Sequence, residues 1–221
     1  MTKRIRLKDR HLPDYFRGEE IMNMVTHIVG GGLGVLGLVL CLLRAEDNFA
    51  AVGCWVYGIS LIALYSVSSI YHGLRPEMAK KVMQVIDHCT IYVLIAGTYT
   101  PILLIAFRPV YPAVCWGLLG AEWLLAALAI TLTAIDLRKY RVFSMLCYIL
   151  LGWGVVFFLP QTIHVMGSSG FALLLAGGIA YTIGAVLYGI GSKRHWIHSV
   201  FHIFVVVGSV LQFLAIYIYV L

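Results

Sequence analysis

Apolar residues follow one another in long runs along this chain, and short polar stretches separate the runs. Each run is close to the roughly 20 residues that a helix needs to cross the hydrocarbon core of a bilayer. The pattern therefore predicts seven membrane-spanning helices in one compact bundle. The predicted spans are residues 21–43, 50–71, 82–106, 111–134, 142–159, 171–190 and 196–221.

The composition agrees with this pattern. Hydrophobic residues make up 61% of the chain and charged residues 12%, and the mean hydropathy is +0.92. A soluble domain typically has about a quarter of its residues charged. We therefore expect an all-α integral membrane protein, with a basic N-terminal segment at residues 1–18 and a seven-transmembrane helix bundle at residues 19–221.

The basic residues are distributed unevenly between the two sides of the predicted bundle. A net charge of +6 is compatible with nucleic-acid binding, but this distribution indicates membrane topology and a lipid-headgroup surface instead. Because basic loops stay inside, we expect a cytoplasmic N-terminus, an outside C-terminus and a location in the cell membrane, the inner membrane if the source is bacterial. The outer side has Arg44 and Arg108, whereas the inner side has Lys3, Arg4, Arg6, Lys8, Arg10, Arg17, Arg75, Lys80, Lys81, Arg138, Lys139, Arg141, Lys193 and Arg194.

Four ionisable residues inside the predicted spans fall in one layer near the cytoplasmic face. Such groups are costly within a membrane and therefore indicate function. His72 ends the second span, Asp87 begins the third, and His198 and His202 open the seventh. His198 and His202 are four residues apart and share one helix face.

These residues predict a metal site if the second, third and seventh helices touch. Three neutral imidazoles with an open fourth position form the ligand set of a catalytic zinc ion, here His72, His198 and His202. Ser68 precedes His72 by one helical turn and is placed to support it by hydrogen bonding. Asp87 is expected to hold a water molecule, orient a histidine or act as general base.

Further polar residues leave alternatives open. Glu20, Asn23 and His27 share one face of the first span in the same layer. We expect His27 and His88 to form interhelical hydrogen bonds rather than to bind metal. Glu122, in the middle of the fourth span, is either a proton-handling group of a transporter or a protonated carboxyl bonded to a neighbouring helix. Residues 1–17 are expected to be flexible or interfacial.

The order of these motifs resembles the three-part signature of the progestin and adipoQ receptor superfamily, and the flanking residues are similar to its bacterial branch, the hemolysin III family. The resemblance covers nearly the whole chain from Glu19 onward. It is carried by Glu19-Glu20-x2-Asn23-x2-Thr26-His27, Ser68-Ser69-Ile70-Tyr71-His72-Gly73, Asp87-His88-x2-Ile91-Tyr92, Ala96-Gly97-Thr98-Tyr99-Thr100-Pro101 and His198-x3-His202.

The resemblance implies a seven-helix fold with the N-terminus inside and zinc on His72, His198 and His202, with Asp87 and Ser68 beside it. It also implies a ceramidase-like hydrolysis of an acyl-lipid amide or ester and a part in membrane lipid homeostasis. The alternatives are a non-enzymatic lipid-sensing protein with structural zinc and a hemolysin-type cytolytic protein.

Overall fold

The computed structural model describes residues 6–191 and 194–221. Three residues of the predicted charge asymmetry, Lys3, Arg4 and Lys193, lie outside these ranges. Within them the chain is helical and has no strand. Its helices are α1 (Arg17–Arg44), α2 (Asn48–Gly73), α3 (Glu77–Pro101), α4 (Pro112–Ile135), α5 (Arg141–Gly152), α6 (Leu159–Gly191) and α7 (Ile197–Tyr219).

Six stretches of the described chain are long and apolar enough to cross a membrane, which confirms a multi-pass helical protein but not the count of seven spans. The difference arises between Arg141 and Ile190, which form one stretch of 50 residues. The predicted fifth span is not one helix, because α5 ends at Gly152 and a 3-10 segment, Gly154–Phe158, precedes α6.

The predicted loop between the fifth and sixth spans is reduced to a break at one residue. Gly167 has φ 70° and ψ 167°, and the residues on both sides of it are helical. Glycine accepts this left-handed φ because it has no Cβ. The sequence pattern missed the helix at residues 160–170 because these residues are less apolar than the predicted spans around them.

A change of helical geometry also occurs at Pro101. Pro101 ends α3, and the chain continues as a π-helical segment, Ile102–Phe107. Proline cannot donate the backbone hydrogen bond of a regular helix, so the change of hydrogen-bonding pattern next to it is expected. The helix as a whole still runs from Glu77 to Phe107.

The helices pack in chain order, and α7 returns to contact α1. The closest approach of α1 and α2 depends on Gly30: a Cβ there would lie 2.5 Å from the Tyr65 ring. Glycine at this position therefore lets the two helices approach closely. Large apolar side chains such as Leu124 and Val142, each 72% exposed, cover the outside of the bundle, where lipid would solvate them.

The described part of the N-terminal segment packs on the bundle and does not extend away from it. The Lys81 ammonium donates to the carbonyl of Lys8 at 2.8 Å, and the Arg10 guanidinium donates to the carbonyl of Ile135 at 3.3 Å. Tyr15 stacks on His198 with ring centroids 4.8 Å apart. Residues 6–16 therefore cover the end of the bundle at which the predicted metal ligands lie.

Candidate metal centre

Three histidines from two helices meet inside the bundle. His72 is the penultimate residue of α2, and His198 and His202 lie in the first two turns of α7. All three are buried, and their exposed fractions are 3%, 8% and 1%. The structure therefore brings together the three histidines that the sequence predicted as ligands.

The geometry of the cluster fits a metal ion. One nitrogen from each histidine lies within 4.8 Å of the others, and the Nε2 atoms of His198 and His202 are 3.1 Å apart. Two nitrogens on one tetrahedral zinc ion are separated by about 3.4 Å, since Zn–N bonds are about 2.0–2.1 Å. His72 Nε2 is buried and has no hydrogen-bond partner in the described structure. A metal ion would satisfy this nitrogen.

Glu20 of α1 fixes the ring of His72, a role that the sequence analysis did not identify. Its Oε2 lies 2.6 Å from His72 Nδ1, and its Oε1 accepts a hydrogen bond of 2.6 Å from Lys80. A carboxylate on Nδ1 leaves Nε2 as the free ligand atom and raises its basicity. The spacing of Glu20, Asn23 and His27 on one helix face was the available signal, but only the packing of α1 against α2 shows its target.

Glu19 positions the start of α7 and is almost completely buried, with 2% exposed. Its carboxylate accepts hydrogen bonds from the backbone N–H groups of Trp196 and Phe16, and it lies 3.3 Å from His195 Nδ1. Trp196 adopts a left-handed backbone conformation with φ 67°. Glu19 therefore anchors the turn that precedes His198.

His27 lies against the cluster without the hydrogen bond that we predicted. Its ring stacks on His202 with centroids 3.8 Å apart. It is 3% exposed, and neither ring nitrogen has a hydrogen-bond partner among the described residues. The prediction of an interhelical hydrogen bond for His27 was wrong, because the ring faces another imidazole rather than a polar group on the next helix.

The structure confirms the interhelical hydrogen bond predicted for His88 and leaves both alternatives for Glu122 as predictions. His88 Nε2 lies 2.9 Å from the hydroxyl of Tyr188 in α6, which confirms an interhelical hydrogen bond. Glu122 is 4% exposed, and its Oε2 has no hydrogen-bond partner in the described residues. Its role stays undecided between the two alternatives.

Asp87 and Ser68 lie in the space next to the cluster. Both line a cavity of about 170 Å³ that His198 and His202 also line. The Ser68 hydroxyl neighbours the Asp87 carboxyl group, across the contact of α2 with α3. Asp87 is 17% exposed, so its carboxylate is accessible from the cavity.

The rest of this cavity is mostly apolar and extends away from the histidines. Leu64, Ile91, Leu94 and Val205 belong to its walls, and Gln212, more than two helical turns along α7 from His202, also lines it. A mostly apolar cavity with a few polar groups is typical of a ligand-binding site.

Tyr15 closes the cavity on the side of the N-terminal segment. Its ring stacks on His198 and also contacts His72, at a centroid distance of 5.8 Å. Burial raises the pKa of Tyr15, and the nearby carboxyl groups of Glu20 and Asp87 act in the same direction. Its hydroxyl is therefore protonated at physiological pH and available as a hydrogen-bond donor.

The fold and the site together define a multi-pass helical membrane protein with a buried three-histidine cluster that could hold a metal ion. Residues 16–213 match the family described as Haemolysin-III related. The chain therefore belongs to this family, and the resemblance drawn from its motifs is confirmed.

Curated relatives support the same assignment. The chain is similar to Hemolysin-3 of Bacillus cereus, with 36% identity over 93% of this chain and 94% of the relative. It is also similar to the Hemolysin-3 homolog of Bacillus subtilis (strain 168), with 33% identity over 91% of this chain and 94% of that one. A more distant relative is the Monocyte to macrophage differentiation factor of Homo sapiens, with 25% identity over 99% of this chain and 91% of the relative.

Proposed function

We propose that this protein is a zinc-dependent intramembrane hydrolase that cleaves an acyl-lipid amide or ester at the cytoplasmic leaflet and thereby acts in membrane lipid homeostasis. The observation that carries the proposal is the position of the histidine cluster at the polar end of an apolar cavity, beside Asp87 and Ser68. A lipid chain in this cavity would place a carbonyl group near the histidines.

The proposal includes seven spans, with the N-terminus in the cytoplasm and the C-terminus outside. The break at Gly167 supports two crossings between Arg141 and Ile190, since this stretch of 50 residues greatly exceeds one bilayer thickness. The basic residues on one side support the orientation. Both are tested by labelling single cysteines from either side of the membrane.

Each residue of the site has a distinct task in this mechanism. His72, His198 and His202 would hold the zinc ion, which when bound supplies Lewis-acid polarisation of the carbonyl group and a water nucleophile at neutral pH. Glu20 holds the His72 ring, and Tyr15 and the apolar walls exclude bulk water. The Asp87 carboxylate accepts the proton of the attacking water and later gives it to the leaving group. Ser68 orients the Asp87 carboxylate.

The first experiment is to measure the metal content of the detergent-purified protein and of a His198→Ala/His202→Ala double variant. About one zinc ion per chain in the wild type, absent from a folded double variant, is the expected result. Wild-type protein that was purified with zinc present, and that binds no metal, would overturn the proposal. Gel filtration and thermal unfolding establish that the variant is folded.

The second experiment tests the reaction through Asp87. Asp87→Asn should retain zinc and lose roughly 10²–10⁴-fold in the release of fatty acid from ceramide and acyl-ester lipids, because general acid–base catalysis contributes about this much. Asp9→Asn is the matched control, since Asp9 pairs with Arg6 at the surface. Wild-type turnover in Asp87→Asn would remove Asp87 from the mechanism, and loss of zinc would make it a ligand.

A non-enzymatic lipid sensor with structural zinc is the alternative that one observation favours. His27 stacks on His202, and both of its ring nitrogens lack partners among the described residues. A fourth imidazole therefore lies against the cluster and would close the site if its ring turned toward the metal, although it is not one of the three whose nitrogens lie within 4.8 Å of one another. His27→Phe separates the two functions. A closed structural site predicts a large loss of zinc affinity, whereas a catalytic site with an open position predicts little change.

A cytolytic activity is the remaining alternative, which the names of the bacterial relatives raise. Release of haemoglobin from erythrocytes by the purified protein tests it directly.

A further inference from the structure

A polar vestibule lies next to the apolar cavity, at the end of the bundle where α7 begins. Its volume is about 580 Å³, and four arginines line it: Arg10, Arg138, Arg141 and Arg194. They come from three separate parts of the chain, namely the N-terminal segment, the connection from α4 to α5 together with the first residue of α5, and the stretch before α7. The fold therefore directs four guanidinium groups into one space.

Arg10 has unused hydrogen-bond donors in this vestibule. Its side chain is only 10% exposed, and one nitrogen, Nη2, donates to the carbonyl of Ile135 and lies 3.9 Å from Asp136. Its Nε and Nη1 atoms are buried and have no hydrogen-bond partner in the described structure. Leaving buried donors of a charged group without an acceptor is costly, so an anion that reached this guanidinium would be stabilised by satisfying them.

The other three arginines are also free to bind an anion. Arg138, Arg141 and Arg194 are exposed, and none of them forms a salt bridge with a described carboxylate. The guanidinium of Arg141 lies 5.9 Å from the centre of the Tyr188 ring. The Arg141 guanidinium therefore lies near Tyr188, which lines both the vestibule and the apolar cavity.

The acidic residues of the vestibule do not neutralise this charge. Two carboxylates, those of Asp14 and Glu19, belong to its lining. Glu19 already accepts hydrogen bonds from Phe16 and Trp196 and lies beside His195. When Asp136 beside Arg10 is counted as well, four arginines face three carboxylates, and the space keeps a net positive charge. A recess of one sign concentrates ligands of the opposite sign.

The vestibule and the apolar cavity are adjacent and share part of their lining. Tyr15, His88, Tyr148, Tyr188 and His198 line both. Once the Tyr15 ring moves aside, one amphiphilic molecule can reach both spaces, with its charged group among the arginines, its chain in the apolar cavity, and the junction beside His198.

We propose that the vestibule binds a phosphate group, and that the ligand of this protein is a phosphate-bearing acyl lipid. The planar guanidinium fork matches two phosphate oxygens at once, which makes arginine the favoured residue for such recognition. The phosphate site follows from the arginines alone. The statement that the bound lipid is also the substrate rests on the proposed hydrolase function.

Three probes distinguish the chemistry of the ligand and its source. Lysophosphatidic acid carries both a phosphate and a chain, monoacylglycerol of the same chain length carries no phosphate, and inorganic phosphate carries no chain. Binding of each to the purified protein in a zwitterionic detergent is measured by equilibrium dialysis. We expect lysophosphatidic acid to bind at least tenfold more tightly than monoacylglycerol, since charge-assisted hydrogen bonds would be lost with the phosphate.

The arginine dependence is tested with Arg141→Gln and Arg10→Gln. Each should weaken binding of lysophosphatidic acid by roughly tenfold or more. Arg75→Gln is the matched control, because Arg75 is an exposed arginine in the connection between α2 and α3 and does not line the vestibule; it should bind like the wild type. Arg141 is exposed, so its variant keeps the test valid if the buried Arg10 proves necessary for folding.

Each outcome decides a separate point. Equal binding of monoacylglycerol, or unchanged binding of lysophosphatidic acid by Arg141→Gln, would overturn the phosphate site. If inorganic phosphate displaces lysophosphatidic acid from the wild type but not from Arg141→Gln, free phosphate is a sufficient ligand. If inorganic phosphate does not displace it from the wild type, the site requires the lipid headgroup. Arginine-dependent binding of lysophosphatidic acid without any lipid hydrolysis would support the phosphate site and contradict the hydrolase function. Hydrolysis of neutral lipids at the same rate by Arg141→Gln and the wild type would support the hydrolase function and contradict the phosphate site.

Discussion

The contact of Glu20 with His72 gives the most direct test of how the site is built. Replacing Glu20 by glutamine keeps the shape and one acceptor oxygen but removes the charge, and replacing it by alanine removes the whole contact. Both variants leave the three predicted ligands in place. We expect each of them to weaken zinc binding, and the alanine variant to weaken it more.

The expected magnitude follows from the geometry. The contact of 2.6 Å joins a fully buried imidazole to a carboxylate that is 18% exposed, and Lys80 holds the second oxygen at the same distance. Loss of such a partner typically lowers metal affinity by about 10–100-fold, which corresponds to about 1.4–2.7 kcal/mol. We expect the loss of zinc affinity to be near the lower value for Glu20→Gln and near the upper value for Glu20→Ala. An ordinary surface ion pair contributes only about 0–1 kcal/mol, and its loss would not act on zinc.

The assay is competition for zinc between the protein and a chelator of known affinity. Glu77→Gln is the matched control, because Glu77 forms a similar pair with Lys81 at 2.6 Å but is 73% exposed and remote from the histidines in the contacts observed. Thermal unfolding of the metal-free proteins separates an effect on the site from an effect on the fold. A zinc dissociation constant within about threefold of the wild type for Glu20→Ala would refute this account of the site.

Two further predictions concern the bundle. Gly30→Ala should lower the free energy of unfolding by about 1–3 kcal/mol, because the new Cβ would lie 2.5 Å from the Tyr65 ring; Gly32→Ala, which has open space, is the control, and equal thermal stability of the two variants would contradict the packing argument. Ser209→Ala should cost about 1–2 kcal/mol, because the Tyr65 and Tyr181 hydroxyls contact the Ser209 hydroxyl at 2.6 and 2.7 Å. Steric-trapping measurements of unfolding give this value, and an unchanged stability would show that the tyrosines find other partners.

The membrane character and the types of the site residues could be predicted from the sequence. Length and polarity of a run are properties of consecutive residues, so the crossing helices are visible without any tertiary contact. His198 and His202 share a helix face by their spacing alone. Successive spans cross the membrane in opposite directions, which puts His72 and Asp87 in the same cytoplasmic layer as His198 and His202. The structure confirms that His72, His198 and His202 meet.

The break at Gly167, within α6, could not be predicted in the same way. Gly167 is one of 22 glycines, and no local pattern marks it as the one with a left-handed φ. The residues around it form helix because backbone groups in an apolar surrounding must satisfy their hydrogen bonds internally. Hydropathy reports the environment of a segment, but it does not report where a helix turns.

The sequence by itself determined an all-helical membrane protein with a basic end and polar residues collected in that end. Only the tertiary structure decided which of these residues touch: Glu20 reaches His72, Glu19 holds the turn before His198, and His27 stacks on His202 without a hydrogen bond. The physical reason is that spacing along one helix fixes the face on which a side chain lies, whereas the rotation and approach of neighbouring helices fix what that face meets. These depend on packing between residues that are far apart in the chain.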